Sequence, residues 1–294
     1  MRILLLCCFC LLAACQSRGV LPPPAPIAPE GRDHARLGQI VELASGARIS
    51  PEQLVERLAA APRVLVGEQH DNPDHHALQL WLSRELAARR PQGSVLMEMI
   101  GPGQQAAVDR AQAETRAGRP PADAYAALDW QAGWDWGLYG ALVQYQLRQP
   151  YPLLAANLER AEIMDIYRQR PALEGPASSA PAVQEKLEQD IRESHCGLLP
   201  DSQIPAMLAV QQQRDRRMAR RLAEAPQPAM LLAGAFHVHR DLGVPLHLSD
   251  LGAGAGNAVL ILAEVGREPA PGSADYVWYT AANPPEDHCA KLRR

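Results

Sequence analysis

Imidazoles and carboxylates gather in two short stretches of this chain. The first reads Arg63-Val64-Leu65-Val66-Gly67-Glu68-Gln69-His70 and continues into Asp71-Asn72-Pro73-Asp74-His75-His76. The second, Ala229-Met230-Leu231-Leu232-Ala233-Gly234-Ala235-Phe236-His237, repeats the order of apolar run, glycine and histidine. A third apolar run over residues 94–99 carries Glu98 near its end. A neutral imidazole can ligate a metal or exchange a proton, and a carboxylate can orient it, take that proton or ligate beside it. Glycine ahead of each histidine allows a sharp turn or a close approach. Each residue also has a plainer use. A histidine after a strand can serve as a structural hydrogen-bonding group, and Glu68 can cap the next helix or form an ion pair.

These side chains meet only if their strands share a sheet. The alternation of apolar runs with helical stripes predicts an α/β fold, with a central, mostly parallel sheet flanked by helices and a helical insertion or subdomain. Strands are expected at 64–66, 94–99, 153–156, 229–233 and 258–265, with a short edge strand at 275–280. Asn72 and Pro73 suit a helix start, and that helix runs to about Arg89. Further helices are expected at about 104–115 and 159–168. The helical portions lie around 102–150 and 181–224, the latter as two helices parted near Gly197 and Pro200. In such sheets ligands bind beyond the carboxyl ends of the strands. Glu68, His70, Glu98, Asn157 and His237 all fall there, with Glu159 close behind. His75 and His76 open the following helix. Trp130, Trp134, Trp136 and Tyr139 could stack on a flat ligand or fill a core. Gln211, Arg214 and Met218 share a stripe, from which Arg214 and Asp215 could brace the site.

The ends of the chain point to export. Residues 1–14 read as a lipoprotein signal peptide: a basic start, a short apolar core and Leu12-Ala13-Ala14 before Cys15. The apolar core falls short of the ~20 residues that span a bilayer. Cys15 is the expected lipidation site, and residues 15–36 read as a Pro-rich, poorly packed tether. Residues 37–294 form the domain. Once the signal and Cys15 are set aside, Cys196 and Cys289 remain, which suggests one disulfide in an oxidising compartment. The net charge of -4 gives no nucleic-acid footprint. The arginines at 214–221 read as a solvated helix face. HExxH, Gly-x-Ser-x-Gly, Walker and CxxCH motifs are all missing, and Gly252-Ala253-Gly254-Ala255-Gly256 lacks the strand and helix of a dinucleotide fingerprint.

The ordered series Gly67-Glu68-Gln69-His70-Asp71-Asn72, His75-His76, Leu96-Met97-Glu98-Met99, Gly133-Trp134, His195-Cys196-Gly197, Arg214-Asp215, Gly234-Ala235-Phe236-His237 and Asp241-Leu242-Gly243-Val244-Pro245 resembles the ChaN-like haem-binding uptake lipoproteins. These belong to the wider Tiki and TraB group. The resemblance implies an exported lipoprotein that binds haem and takes part in iron acquisition. It implies a lipid anchor, a homodimer around haem and a cooperating receptor or transporter, and Gln16 rather than an aspartate after Cys15 favours the outer membrane by analogy with lipoprotein sorting. Glu68, His70, His75, His76, Glu98, Tyr139, Arg214 and His237 are the site residues it suggests. Phe236 stands where some relatives carry tyrosine, so the axial ligand is left among Tyr139, His70 and His237. Two other readings remain open. Tiki-type proteases and erythromycin-esterase-like proteins have a comparable arrangement, in which His70, Glu98 and His237 would hold a divalent metal and Glu68 would activate water. The third is a non-catalytic envelope scaffold.

Overall fold

The apolar runs pair into one sheet. In the computed structural model, which describes residues 19–287 and 289–290, the strands are β1 (Ile40–Glu42), β2 (Ala47–Ile49), β3 (Arg63–Glu68), β4 (Ser94–Met97), β5 (Leu153–Ala155), β6 (Ala229–Gly234), β7 (Ala258–Glu264) and β8 (Tyr276–Thr280). Their order is β2-β1-β8-β7-β3-β6-β4-β5. Every pair from β8 to β5 is parallel, and only β1 runs antiparallel to its neighbours. The expected signal segment and Cys15 lie outside the described residues.

The helices are α1 (Pro51–Ala60), α2 (Pro73–Arg89), α3 (Gln105–Arg116), α4 (Ala124–Ala127), α5 (Trp136–Leu147), α6 (Arg160–Gln169), α7 (Pro181–Ser194), α8 (Ile204–Glu224), α9 (Ala235–Val238) and α10 (Val244–Asp250). Alternate strand residues face opposite layers. Val66, Met97 and Leu232 pack with Leu82 and Leu86 of α2. Leu65, Leu231 and Ile261 pack with Met218 and Leu222 of α8 and with Leu248 of α10. All six residues of β3 and of β6 are buried, as central parallel strands covered on both faces must be. Among the described residues, no helix is long and apolar enough to cross a membrane.

The α/β class is as expected, and three local features differ. The β1–β2 hairpin was not anticipated, because strands of three residues are too short to show an alternation; α1 was missed although Ser50, Pro51 and the face of Leu54, Val55 and Leu58 mark it. This hairpin covers β8, so β8 is an internal strand rather than the edge. The helical portion beyond α3 is interrupted: α4 and α5 are separate helices. The break holds Asp129 at φ 48° and ends at Asp135, whose side chain accepts from the Gly137 amide at 2.8 Å and caps α5.

The Pro-rich stretch is also not the loosely packed tether its composition suggests. Trp81 Nε1 donates to the Leu21 carbonyl at 3.0 Å, and the Leu21 amide donates to Glu85 at 3.2 Å. The Ile27 and Ala28 amides donate to Asp74 Oδ1 at 2.5 and 3.2 Å, and Glu30 forms a bridge with Ala282. Proline pre-extends a chain, so little freedom is lost when partners on α2 become available.

Candidate functional site

Pairing β3 with β6 sets Glu68 directly opposite Gly234, so both Gly-x-x-His segments leave the sheet side by side. The two glycines supply space rather than an unusual turn. A Cβ on Gly67 would lie 2.5 Å from Val238 Cγ2 and 2.9 Å from Ala235 Cα. On Gly234 it would lie 2.9 Å from His70 Nε2 and Cε1. Both separations are shorter than carbon contacts allow.

Glu68 is buried and gathers three groups. Tyr139 donates its hydroxyl to Oε1 at 2.5 Å, and His70 Nδ1 lies 3.0 Å from the same oxygen. His76 Nδ1 stands 3.3 Å from Oε2, while its Nε2 donates to the His70 carbonyl at 2.9 Å. A carboxylate oxygen accepts, so this geometry suits a phenol proton on Tyr139 and the His70 tautomer with hydrogen on Nδ1, which also stands 3.2 Å from the Tyr139 hydroxyl. Burial, reinforced by the charge of Glu68, pushes the Tyr139 phenol far above its ordinary range. Burial opposes a charge on His70, but the bond to Glu68 and the nearby Glu98 carboxylate outweigh it and raise its pKa. The His70 side chain is 43% exposed, and Trp134 meets it edge-on at 4.9 Å between ring centres.

A second cluster lies beside the first. His237 Nδ1 is 2.5 Å from Asp215 Oδ1, and its Nε2 is 3.3 Å from Glu98 Oε1. The Gln211 amide stands 3.1 Å from Nδ1. Glu98 Oε2 accepts from the Gly234 amide at 2.8 Å. Burial alone would neutralise this imidazole, yet two carboxylates hold its pKa up at about 10. Burial would raise Glu98, but the facing His237 charge and bond bring it down to about 2. His237 is thus an imidazolium with both nitrogens engaged.

Glu68, His70, His76, Glu98, Tyr139 and His237 therefore come together. His75 does not. It accepts from the Gln69 amide at 2.8 Å through Nδ1, and its Nε2 meets Thr280 Oγ1 at 2.9 Å. It is fully buried there, and burial brings its pKa down to about 3. Arg214 is likewise not joined to the cluster by any hydrogen bond or ion pair among the described residues. Successive helix positions differ by about 100° in direction, and Asp215 is the one that faces His237. Asn157 braces β4 by donating to the Glu98 carbonyl at 3.0 Å, and Glu159 turns instead to the Gly103 amide. His70, Glu98 and His237 share one edge, but His237 faces Glu98 while His70 Nδ1 faces Glu68. Among the described residues no three His, Cys, Asp or Glu side chains converge as a metal-ligand set.

An open cleft lies over this edge. His70, Gly234 and His237 line one side, and Leu187, Ile191 and Leu242 the other. Phe236 stands on its rim, 64% exposed and stacked on His239. Sequence reasoning missed the α7 wall. Its one signal was the i, i+4, i+8 stripe of Val183, Leu187 and Ile191, which marks a helix face without saying what it covers.

A polar cluster at the carboxyl edge of a parallel sheet, under a partly apolar cleft, defines a ligand-binding α/β protein. The chain belongs to the haem-binding uptake family of the Tiki superfamily, ChaN, whose model matches residues 54–248. Among solved structures it is similar to ChaN of Campylobacter jejuni, described as binding haem cofacially. The two are 28% identical over 83% of this chain and 97% of that one, with a TM-score of 0.75. An erythromycin esterase mutant in its open conformation shares 13% identity over 83% and 82% of the two chains, with a TM-score of 0.47. No curated protein matches the chain.

Proposed function

We propose that this protein binds haem in the cleft through His70 and serves haem and iron acquisition as an exported, lipid-anchored protein. One observation carries the choice of ligand. Of the three candidates, His70 alone is exposed, and Glu68 faces its Nδ1, so in the neutral ring Nε2 is the nitrogen with a lone pair to donate, and iron must displace the proton that the nearby carboxylates favour there. A carboxylate behind a ligating histidine fixes its tautomer and strengthens it as a donor. Tyr139 is held protonated, and His237 has no free nitrogen. The iron of a bound haem supplies the Lewis-acid centre for Nε2. Leu187, Ile191, Leu242 and Phe236 offer apolar contact to the macrocycle. Family membership and the cofacial haem of the Campylobacter protein support haem as the ligand. The exposed Phe236 ring suits a second copy of the chain facing the first across haem, and a receptor or transporter would then receive the ligand.

The anchor rests on Leu12-Ala13-Ala14-Cys15, and Gln16 after the cysteine favours the outer membrane by analogy with lipoprotein sorting. Intact mass of the mature protein tests it: a chain starting at Cys15 with diacylglycerol is expected, and an unmodified cysteine there would remove the anchor.

The haem reading is tested by titrating the protein with haemin. A saturable, shifted Soret band is expected in the wild type and a much weaker one in His70→Ala. Equal binding by that variant would displace His70 as ligand, and no saturable shift at all would sink the reading.

A further inference from the structure

The two walls of the cleft are attached to the molecule in different ways. His70, Gly234 and His237 stand at the sheet edge, whereas Leu187, Asp190, Ile191 and Ser194 come from α7. α7 enters neither large core. It packs through a small separate cluster, Leu187 and Ile191 against Ile204, Leu208 and Leu242. The segment leading into it is tied down: Asp250 accepts from the Ala177 amide at 2.8 Å and from the Ser178 amide and hydroxyl at 3.0 and 2.6 Å. Gln212 adds a bond to the Ser178 carbonyl at 3.0 Å.

The other end of α7 runs into Cys196 and Gly197, at φ 61° and 66°, which reverse the chain. Arg192 pairs with Asp201 there, and the Cys196–Cys289 disulfide joins the turn to the C-terminal tail with 5.8 Å between Cα atoms. That tail is fixed beside the opposite wall. Asn283 donates its side-chain amide to the Asp71 carbonyl at 2.8 Å and its backbone amide to Glu264 at 3.0 Å. Asp71 follows His70 directly. The C-terminal tail is therefore held at two points, at Asn283 beside the His70 loop and at Cys289 on the end of α7.

We infer that Cys196, Cys289 and Asn283 are positioning residues that hold α7 as the retaining wall of the cleft and so set how fast a bound ligand escapes. The identity of that ligand rests on the haem reading above; the clamp does not. A helix that packs through Val183, Leu187 and Ile191 into a small cluster apart from both large cores belongs to the low-stability end of a fold and opens locally. A covalent tie at its end removes the widest of those openings. Losing the tie acts on dissociation more than on association, as most changes to a formed site do.

The experiment compares the full-length wild type with Cys196→Ser/Cys289→Ser and with Asn283→Ala. Hydrogen exchange of the ligand-free proteins is read separately for α7 and α2. Haem loss to an excess of apomyoglobin is read for the loaded proteins. In the double serine variant, α7 exchange and haem loss should both rise about tenfold, with α2 protection and the Soret position unchanged. Asn283→Ala should move both readouts the same way by a smaller factor. Unchanged α7 exchange overturns the clamp, and faster exchange with unchanged haem loss overturns its role in retention. Should the double variant fail to fold, Asn283→Ala and wild type treated with a dithiol give the same two readouts. Should wild type bind no haem, the haem reading fails and α7 exchange alone decides the clamp.

Discussion

At the scale of single residues, buried carboxylates decide which histidine is free. Glu68 fixes His70 and keeps Tyr139 protonated, while Glu98 and Asp215 together charge His237. Tyr139→Phe should therefore leave the haem spectrum in place, and a changed charge-transfer band on that substitution would make Tyr139 a ligand after all. The second cluster predicts a pH profile. Folding raises the pKa of His237 from 6.5 to about 10, so its contribution is complete below 6.5 and lost as pH climbs through 10. Glu98 falls from 4.5 to about 2, so its contribution is complete above 4.5 and lost as pH drops through 2. Melting temperature should accordingly be highest between those two ordinary values and decline on either side. His237→Asn should abolish the alkaline decline. It should also destabilise the fold by about 3–5 kcal/mol, because two buried carboxylates lose their counter-charge. An alkaline decline that persists in this variant would assign it elsewhere.

At the scale of elements, the glycines in the two motifs do unequal jobs. Gly67 lets β3 lie against α9, the short helix that carries His237. A methyl there meets the Ala235 backbone, which cannot step aside cheaply, so Gly67→Ala should cost about 1–3 kcal/mol by denaturant melt. Gly234 faces the edge of an exposed His70 ring that can swing away. Gly234→Ala should therefore melt near the wild type but shift or weaken the Soret band, because the ring leaves Glu68. Loss of stability without a spectral change would reverse these roles. The helices were legible because α2 opens on Asn72 and Pro73, α7 and α8 carry proline in their first turn, and α3, α6, α7 and α8 carry apolar stripes in their own sequence. The β1–β2 hairpin was not, since its strands are stabilised by pairing with β8 rather than by a pattern of their own.

At the scale of the whole molecule, segments distant in sequence brace the site from outside. The Pro-rich stretch lies along α2 through Asp74 and Trp81, so residues 21–28 form part of the body. Asp74→Ala should release the Ile27 and Ala28 amides and cost about 1–3 kcal/mol, with faster exchange at both positions. Unchanged exchange there would mean that the prolines alone hold the segment. The C-terminal tail does similar work on the opposite rim through Asn283 and Cys289.

The sequence alone determined the fold class and most of the strands and helices, because burial on both faces writes near-continuous apolar runs and helix faces write stripes. It also determined that Glu68, His70, Glu98 and His237 stand at strand ends, and that Cys196 and Cys289 were left to pair. Tertiary structure decided what those residues do. Pairing β3 with β6 made one site of two segments, and burial beside particular carboxylates charged His237 and freed Nε2 of His70. It turned His75 toward Thr280, chose Asp215 over Arg214, and laid α7 across the cleft. These outcomes depend on distances between atoms far apart in the chain, and residue spacing along one segment carries no record of them.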